Sequence, residues 1–278
     1  ARDGAHRMQI ERGLSSGFLA SRGAAFEVEL RNGRKATDEA LKEKEVAEAL
    51  VELRRAVSAH QLKPVDSFKR YTALIEKLLA NQTAVAIVTG EPDISRVANA
   101  LDLLSQAKEF AGRERATLNG AFAQGKLDAE VYQRAVSIIA QQELQLGRFR
   151  QYATDKGRAT LADEERSGAM NQALELRAGA IGAGVGGTLT TAPAEWFQAS
   201  TRRIERLRAV EEEVGHELTG LLAERLNDAV WRRALAMLLV VLILVVGLTL
   251  GVWQSRQVLD VVGGEPSRVM GVMRLMAE

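Results

Sequence analysis

Apolar residues recur every three to four positions along almost the whole chain, which is the period of a helix with one buried face. In "MQIERGLSSGFLASRG", residues 8–23, Met8, Ile10, Leu14, Phe18 and Leu19 share one arc, and the pattern predicts a helix over 5–30 that leaves through "RNGRKAT". A second helix is expected over 37–61, capped by Thr37 or Asp38, with Leu41, Val46, Leu50, Leu53 and Val57 as its stripe. Further helices are expected over 65–88, 93–124, 128–155 and 163–180, separated by the break at Gly90 and Pro92, by "QGKLD" and by "TDKGRATLAD" read as a loop. Residues 179–196 read as loop, and from Ala194 the helical pattern barely stops, with Ile204, Leu207, Val214, Leu218, Leu221 and Leu222 as its stripe. No segment alternates as a strand does, so the expected class is all-α.

The first arc carries an oddity. Glu11 falls inside it, between Phe18 and Ser15, and Arg12 sits on its edge beside Leu19. The oddity recurs, because "ERGLSSGFLA" at 11–20 aligns with "ERATLNGAFA" at 114–123. There, Leu104, Ala111, Leu118 and Phe122 make the stripe, with Phe110 beside it, and Glu114 and Arg115 project toward the packed side. The repeat suggests two similar helical units packed together. A buried charge costs several kcal/mol unless it is paired and hydrogen-bonded. Two readings follow. Glu11 and Glu114 form buried salt bridges that set helix register, or they orient arginines whose forked N–H donors receive a planar oxyanion.

Composition narrows the partners. Lys and Arg number 37 against 36 Asp and Glu, so the basic excess that phosphate binding usually brings is missing and nucleic acid is not expected. No cysteine is present and His6, His60 and His216 lie far apart, so neither a thiolate nor a histidine-based metal site is expected. Gly182, Gly184 and Gly187 spell G-x-G-x-x-G, but a helix precedes them where a dinucleotide site needs a strand. No activated nucleophile or phosphate loop is visible, so no cofactor and no enzymatic activity are expected.

One stretch changes the picture. "ALAMLLVVLILVVGLTLGVW", residues 234–253, has no charge and is bracketed by Trp231 and Trp253, with Arg232, Arg233 and Arg256 just outside. Its length matches the roughly 20 residues that cross a bilayer as a helix. The chain begins and ends within helical patterns, which reads as a segment of a longer protein with another spanning helix ahead of Ala1. Gly247 and Gly251, four apart, are the small-residue spacing that lets membrane helices approach, and the expected neighbour of that face is a second copy in a parallel homodimer or the other spanning helix of the same chain.

A family resemblance joins these pieces. "MQIERGLSSGFLASRG", "RKATDEAL", "RERATLNGAFAQGKL", "FRQYAT" and "EWFQASTRRIERLRAVEEEV", in that order, resemble the nitrate- and nitrite-sensing (NIT) domain. The resemblance implies two packed four-helix bundles with an arginine-lined nitrate or nitrite site at their junction. Carried over by motif, it implies ligand contacts at Arg12, Arg115 and Arg203 (with Arg202 the alternative to Arg203), and at Arg34, for which a loop or cap role suits equally. Glu11 and Glu114 are expected as the groups that brace these arginines. The tail "VVGGEPSRVMGVMRLMAE", residues 261–278, resembles the start of a HAMP linker, with Val269, Val272, Met273 and Met276 as a stripe after Pro266.

The expected organisation is a sensor domain over 1–230, a spanning helix with its flanks over 231–256, and the start of a HAMP-like linker over 257–278. The expected protein is a receptor of the bacterial inner membrane with a periplasmic sensor domain. It relays nitrate or nitrite binding to cytoplasmic signalling partners through an output domain, as a methyl-accepting chemotaxis protein does. The rival readings are a sensor for another small anion or metabolite, and an interaction domain of a sensor kinase in which the charges are only salt bridges.

Overall fold

The computed structural model describes residues 2–87, 91–261 and 266–276. Gly90 and the "GGE" of the linker, residues 263–265, lie outside the described residues, as does the side chain of Val269. The described residues are helical nearly throughout, and the single β-bridge among them joins Lys126 to Thr188. The chain divides into a unit over Ala1–Gly220 and a second over Leu221–Glu278.

Two helical cores are formed by described residues of the first unit. Helices α1 (Arg2–Ala20), α2 (Glu27–Ala40), α3 (Lys44–Ser58) and α4 (Pro64–Ile87) share one of them. Met8, Leu19, Leu30, Leu50, Val57, Ile75 and Leu78 fill it. Helix α5 (Pro92–Gln124) begins the second, with α6 (Ala129–Tyr152), α8 (Gly168–Ala183) and the first part of α9 (Pro193–Val261). Leu118, Phe122, Leu127, Ala135, Ala180 and Trp196 pack there. A short α7 (Asp155–Glu165) joins α6 to α8.

Three boundaries differ from the pattern. The helix expected over 5–30 is two helices, because Gly23 adopts a left-handed φ of 83° and its N–H returns to the Phe18 carbonyl, closing α1. "RNGRKAT" therefore lies inside α2 instead of ending a helix. Thr37 is no cap: it is buried in α2 and its hydroxyl bonds the Gly33 carbonyl. The segment read as a loop at 154–163 is mostly α7, started by the Thr154 hydroxyl, which accepts from the Gly157 N–H, and held by buried Leu161. Ile10, placed on the core arc, is 38% exposed, while Glu11, Arg12 and Ser15 are buried. The inward face of α1 is centred on its polar residues.

The glycines at 182–187 have a local cause. Gly184 and Gly186 take left-handed φ values, and the loop they form bonds back to the α5–α6 turn through Gly186 to Leu127 and Leu189 to Gly125. In the second unit, α9 runs on through the apolar stretch. It is the one helix among the described residues that is long and apolar enough to cross a membrane, and that window is wholly exposed. The final helix, α10 (Pro266–Leu275), follows, with Val272, Met273 and Met276 exposed.

Candidate functional site: two arginine clamps where α1 meets α5

The misplaced charges of α1 are all placed. Glu11, with no exposed surface, receives two hydrogen bonds from Arg54 of α3, at 2.7 and 2.8 Å, and one from the Tyr71 hydroxyl of α4 at 2.8 Å. Burial works against the Arg54 charge, but the Glu11 contacts outweigh it and hold its pKa above the ordinary range. Burial, then the Glu11 carboxylate, raises the Tyr71 phenol. Arg34 joins this network from α2: it bonds Ser58 and the Arg54 carbonyl, and its Nε lies 4.0 Å from Glu11. Glu11 thus braces Arg54 and not its neighbour Arg12, and Arg34 belongs to the same bundle core.

Arg12 points the other way, toward α5. Its guanidinium grips Glu109 at 2.5 and 3.1 Å, donates to the Thr72 hydroxyl at 2.7 Å, and lies 4.4 Å from the centre of the Phe68 ring. Gln9 adds a bond to Glu109 at 2.9 Å and Arg113 another at 2.9 Å. Burial penalises the Glu109 charge, yet Arg12 and then Arg113 overcome this and depress its pKa. Arg113 is itself shared with Glu76.

Arg115 makes the counterpart arrangement from α5. It donates to the Thr201 hydroxyl of α9 at 2.8 Å and lies 4.9 Å from the Phe197 ring centre, while the Trp196 indole N–H holds its carbonyl. Phe68 and Thr72 on α4 are therefore repeated by Phe197 and Thr201 on α9, one pair behind each arginine. The helices cross closely at glycines. Arg12 Nη2 lies 3.0 Å from where a Cβ on Gly112 would stand, and Arg115 Nη2 lies 3.7 Å from that point on Gly13. The match fails in charge alone. Among the described residues no carboxylate salt-bridges Arg115. Burial, and then the nearby Arg12 cation, lower its pKa to about 10.

Glu114 forms a third cluster, in the second bundle. Arg203 of α9 donates to it at 3.2 Å and to Gln142 of α6 at 2.5 Å, and Arg177 of α8 approaches it at 3.9 Å. Burial raises the Glu114 pKa and lowers that of Arg203, which Glu114 partly restores. The Glu114 Oε1 and Arg203 Nε atoms are buried without partners. Arg202 is exposed and bonds Gln172.

The residues matched through the resemblance thus divide into three groups. Arg12 and Arg115 meet at the α1–α5 crossing, Arg34 lies with Glu11, and Arg203 lies with Glu114. The sequence reading passed over Glu109, Phe68, Thr72, Phe197 and Thr201. Their signal was present as F-x-x-x-T at 68–72 and again at 197–201.

The chain has relatives among known proteins. The sequence matches the family model described as "Nitrate and nitrite sensing" over residues 3–219. The chain belongs to the nitrate- and nitrite-sensing family. A curated relative, the nitrate regulatory protein of Klebsiella oxytoca, is 27% identical over 230 residues, covering 74% of this chain and 58% of the relative. The chain therefore spans little more than half of that relative's length. The structure of the NasR transcription antiterminator aligns with a TM-score of 0.68 at 24% identity, over 79% of this chain and 66% of that one, a likeness of fold. In this NIT chain the family match ends at 219, close to the Ala1–Gly220 limit of the first structural unit.

Proposed function

We propose that this NIT chain holds nitrate or nitrite between Arg12 and Arg115 and passes the occupancy of that site to α9. The carrying observation is Arg115. A half-buried guanidinium that faces another cation, with Glu109 and Glu205 acting on it only from beyond salt-bridge distance, is destabilised until an anion arrives. Small planar oxyanions suit the forked donors of two arginines backed by rings. Arg203 takes the third position, since its Nε–H is buried without an acceptor. Arg34, bonded to Ser58 and Arg54, is assigned to the architecture of the first bundle. The chain acts by binding and not by catalysis.

In this reading, residues 234–253 cross the bacterial inner membrane, the NIT domain is periplasmic, and the linker after the membrane leads to a chemoreceptor output. The exposed apolar window in α9 supports that assignment. The names of the relatives favour a second reading of the output alone, namely gene regulation without a membrane step. Fractionation of cells that produce the chain separates the two: recovery in the soluble fraction would exclude the receptor reading. Calorimetry on the full chain in mild detergent, with nitrate, nitrite, sulfate and formate, tests the ligand. Heat from nitrate or nitrite that vanishes in Arg115→Ala is expected. Unchanged binding in that variant would remove Arg115 from the site.

A further inference from the structure

The two arginine clamps repeat in their ring and their hydroxyl and differ in their counter-charge. Shifted by 103 residues, Glu11 falls on Glu114 and Arg12 on Arg115. The same shift places His6 on Glu109. Glu109 is the carboxylate that neutralises Arg12 across the crossing. Its counterpart on α1 is an imidazole. His6 is 8% exposed, and its Nδ1 is buried without a hydrogen-bond partner. The carboxylates around it are engaged elsewhere. Glu211 is held by Lys108 and Ser105, and Asp3 by Arg7 and Arg208.

We infer that the uncharged side chain at position 6 sets the capacity of the site to one univalent anion: histidine stands where the repeat has a carboxylate, and so leaves Arg115 to take its counter-charge from the ligand. The charge count supports this. Arg12 is matched by Glu109 and Arg113 by Glu76, while Arg115, on which Glu109 and Glu205 act only from beyond salt-bridge distance, is left without an ion pair among the described residues. His6 does not add a second positive charge. Burial, then Lys108, Arg208, Arg7 and Arg115, lower its pKa to about 3, so it stays neutral at ordinary pH. A carboxylate at position 6 would do from within the chain what the bound anion does from solution.

The inference rests on the reading that Arg12 and Arg115 hold the anion, and the experiment separates the two. The full 278-residue chain in detergent is titrated with nitrate by calorimetry and melted with and without nitrate, as wild type, His6→Glu and His6→Gln. If the wild type takes up no nitrate, the reading of the site fails and the inference with it. If it binds, His6→Glu is expected to weaken nitrate by at least about 30-fold, the size of a buried charge-pair effect. Without ligand, that variant should melt as high as the nitrate-saturated wild type. His6→Gln, neutral like histidine, should keep its affinity. Undiminished binding in His6→Glu, or a loss in His6→Gln as large as in His6→Glu, would overturn the inference while leaving the site in place. Should His6→Glu fail to fold, His6→Gln decides alone: retained binding sustains the inference and lost binding overturns it.

Discussion

Arg12 and Arg115 hold equivalent positions but have unequal partners, so their substitutions should differ. Arg12→Ala leaves Glu109 buried with Arg113 as its remaining salt bridge and Gln9 as a neutral donor, which should cost about 3 kcal/mol of stability as well as anion binding. Arg115→Ala removes a half-buried cation that makes no salt bridge among the described residues and should leave the melting temperature unchanged or raised while binding is lost. Equal destabilisation of both variants in melting curves would contradict the charge assignment. His6 sets a pH dependence with a definite sign. Its pKa falls from 6.5 when unfolded to about 3 when folded, so the unfolded chain takes up a proton first. Stability should then decline as pH drops from about 6.5 toward about 3, by as much as several kcal/mol. His6→Gln should remove that part of the slope in denaturant titrations at several pH values, and an unaltered slope would mean that His6 is solvated.

At the scale of helices, Gly112 is a position where local and site demands oppose each other. Alanine in its place favours the helix by about 1 kcal/mol. Its methyl group would press on Nη2 of Arg12, whose guanidinium is held by Thr72 through Nη1 and by Glu109 through Nη2. Gly112→Ala should therefore change stability by less than about 1 kcal/mol yet weaken nitrate binding about tenfold, the cost of a modest misplacement of one donor. Calorimetry and melting on the same sample read both effects, and full affinity in a folded variant would contradict the close crossing. The same helices show what periodicity can and cannot reveal. It exposed Glu11 and Arg12 because α1 has one inward side, on which a charge looks out of place. It missed Glu109 because α5 packs on most of its circumference: Leu103, Leu104, Ser105, Ala107, Lys108 and Glu109 are all buried, so no stripe marks an exception. Phe68 and Thr72, partly exposed, carry no burial signal either, and only their repetition at Phe197 and Thr201 sets them apart. The α1–α2 break went unseen because the six residues between Ala20 and Glu27 carry no proline and a single glycine.

For the molecule as a whole, the clamps belong to different bundles. Arg12 stands on α1 with its backing from α4, and Arg115 stands on α5 with its backing from α9. An anion held between them, as proposed, would therefore tie the bundles to each other and add nothing within either. The spanning segment offers a separate test of assembly. Because the chain has no cysteine, single cysteines along 244–254 report contacts without background. If Gly247 and Gly251 face a second copy, oxidation should cross-link one face at a spacing of about 3 to 4 residues. Uniform or absent cross-linking would remove that face from the dimer contact.

The bonds between α5 and α9 carry one more consequence, which concerns the kind of motion available. Glu114 holds Arg203, and farther along, Lys108 and Ser105 both hold Glu211. The two attachment points are eight residues apart on α9, about 12 Å, and run in opposite directions on the two helices. Sliding α9 along α5 by even one residue would break both and strand buried charges. The pair is geared together, so a piston stroke of α9 against its own bundle is closed to it. What these bonds leave open is a tilt or roll of α5 and α9 together.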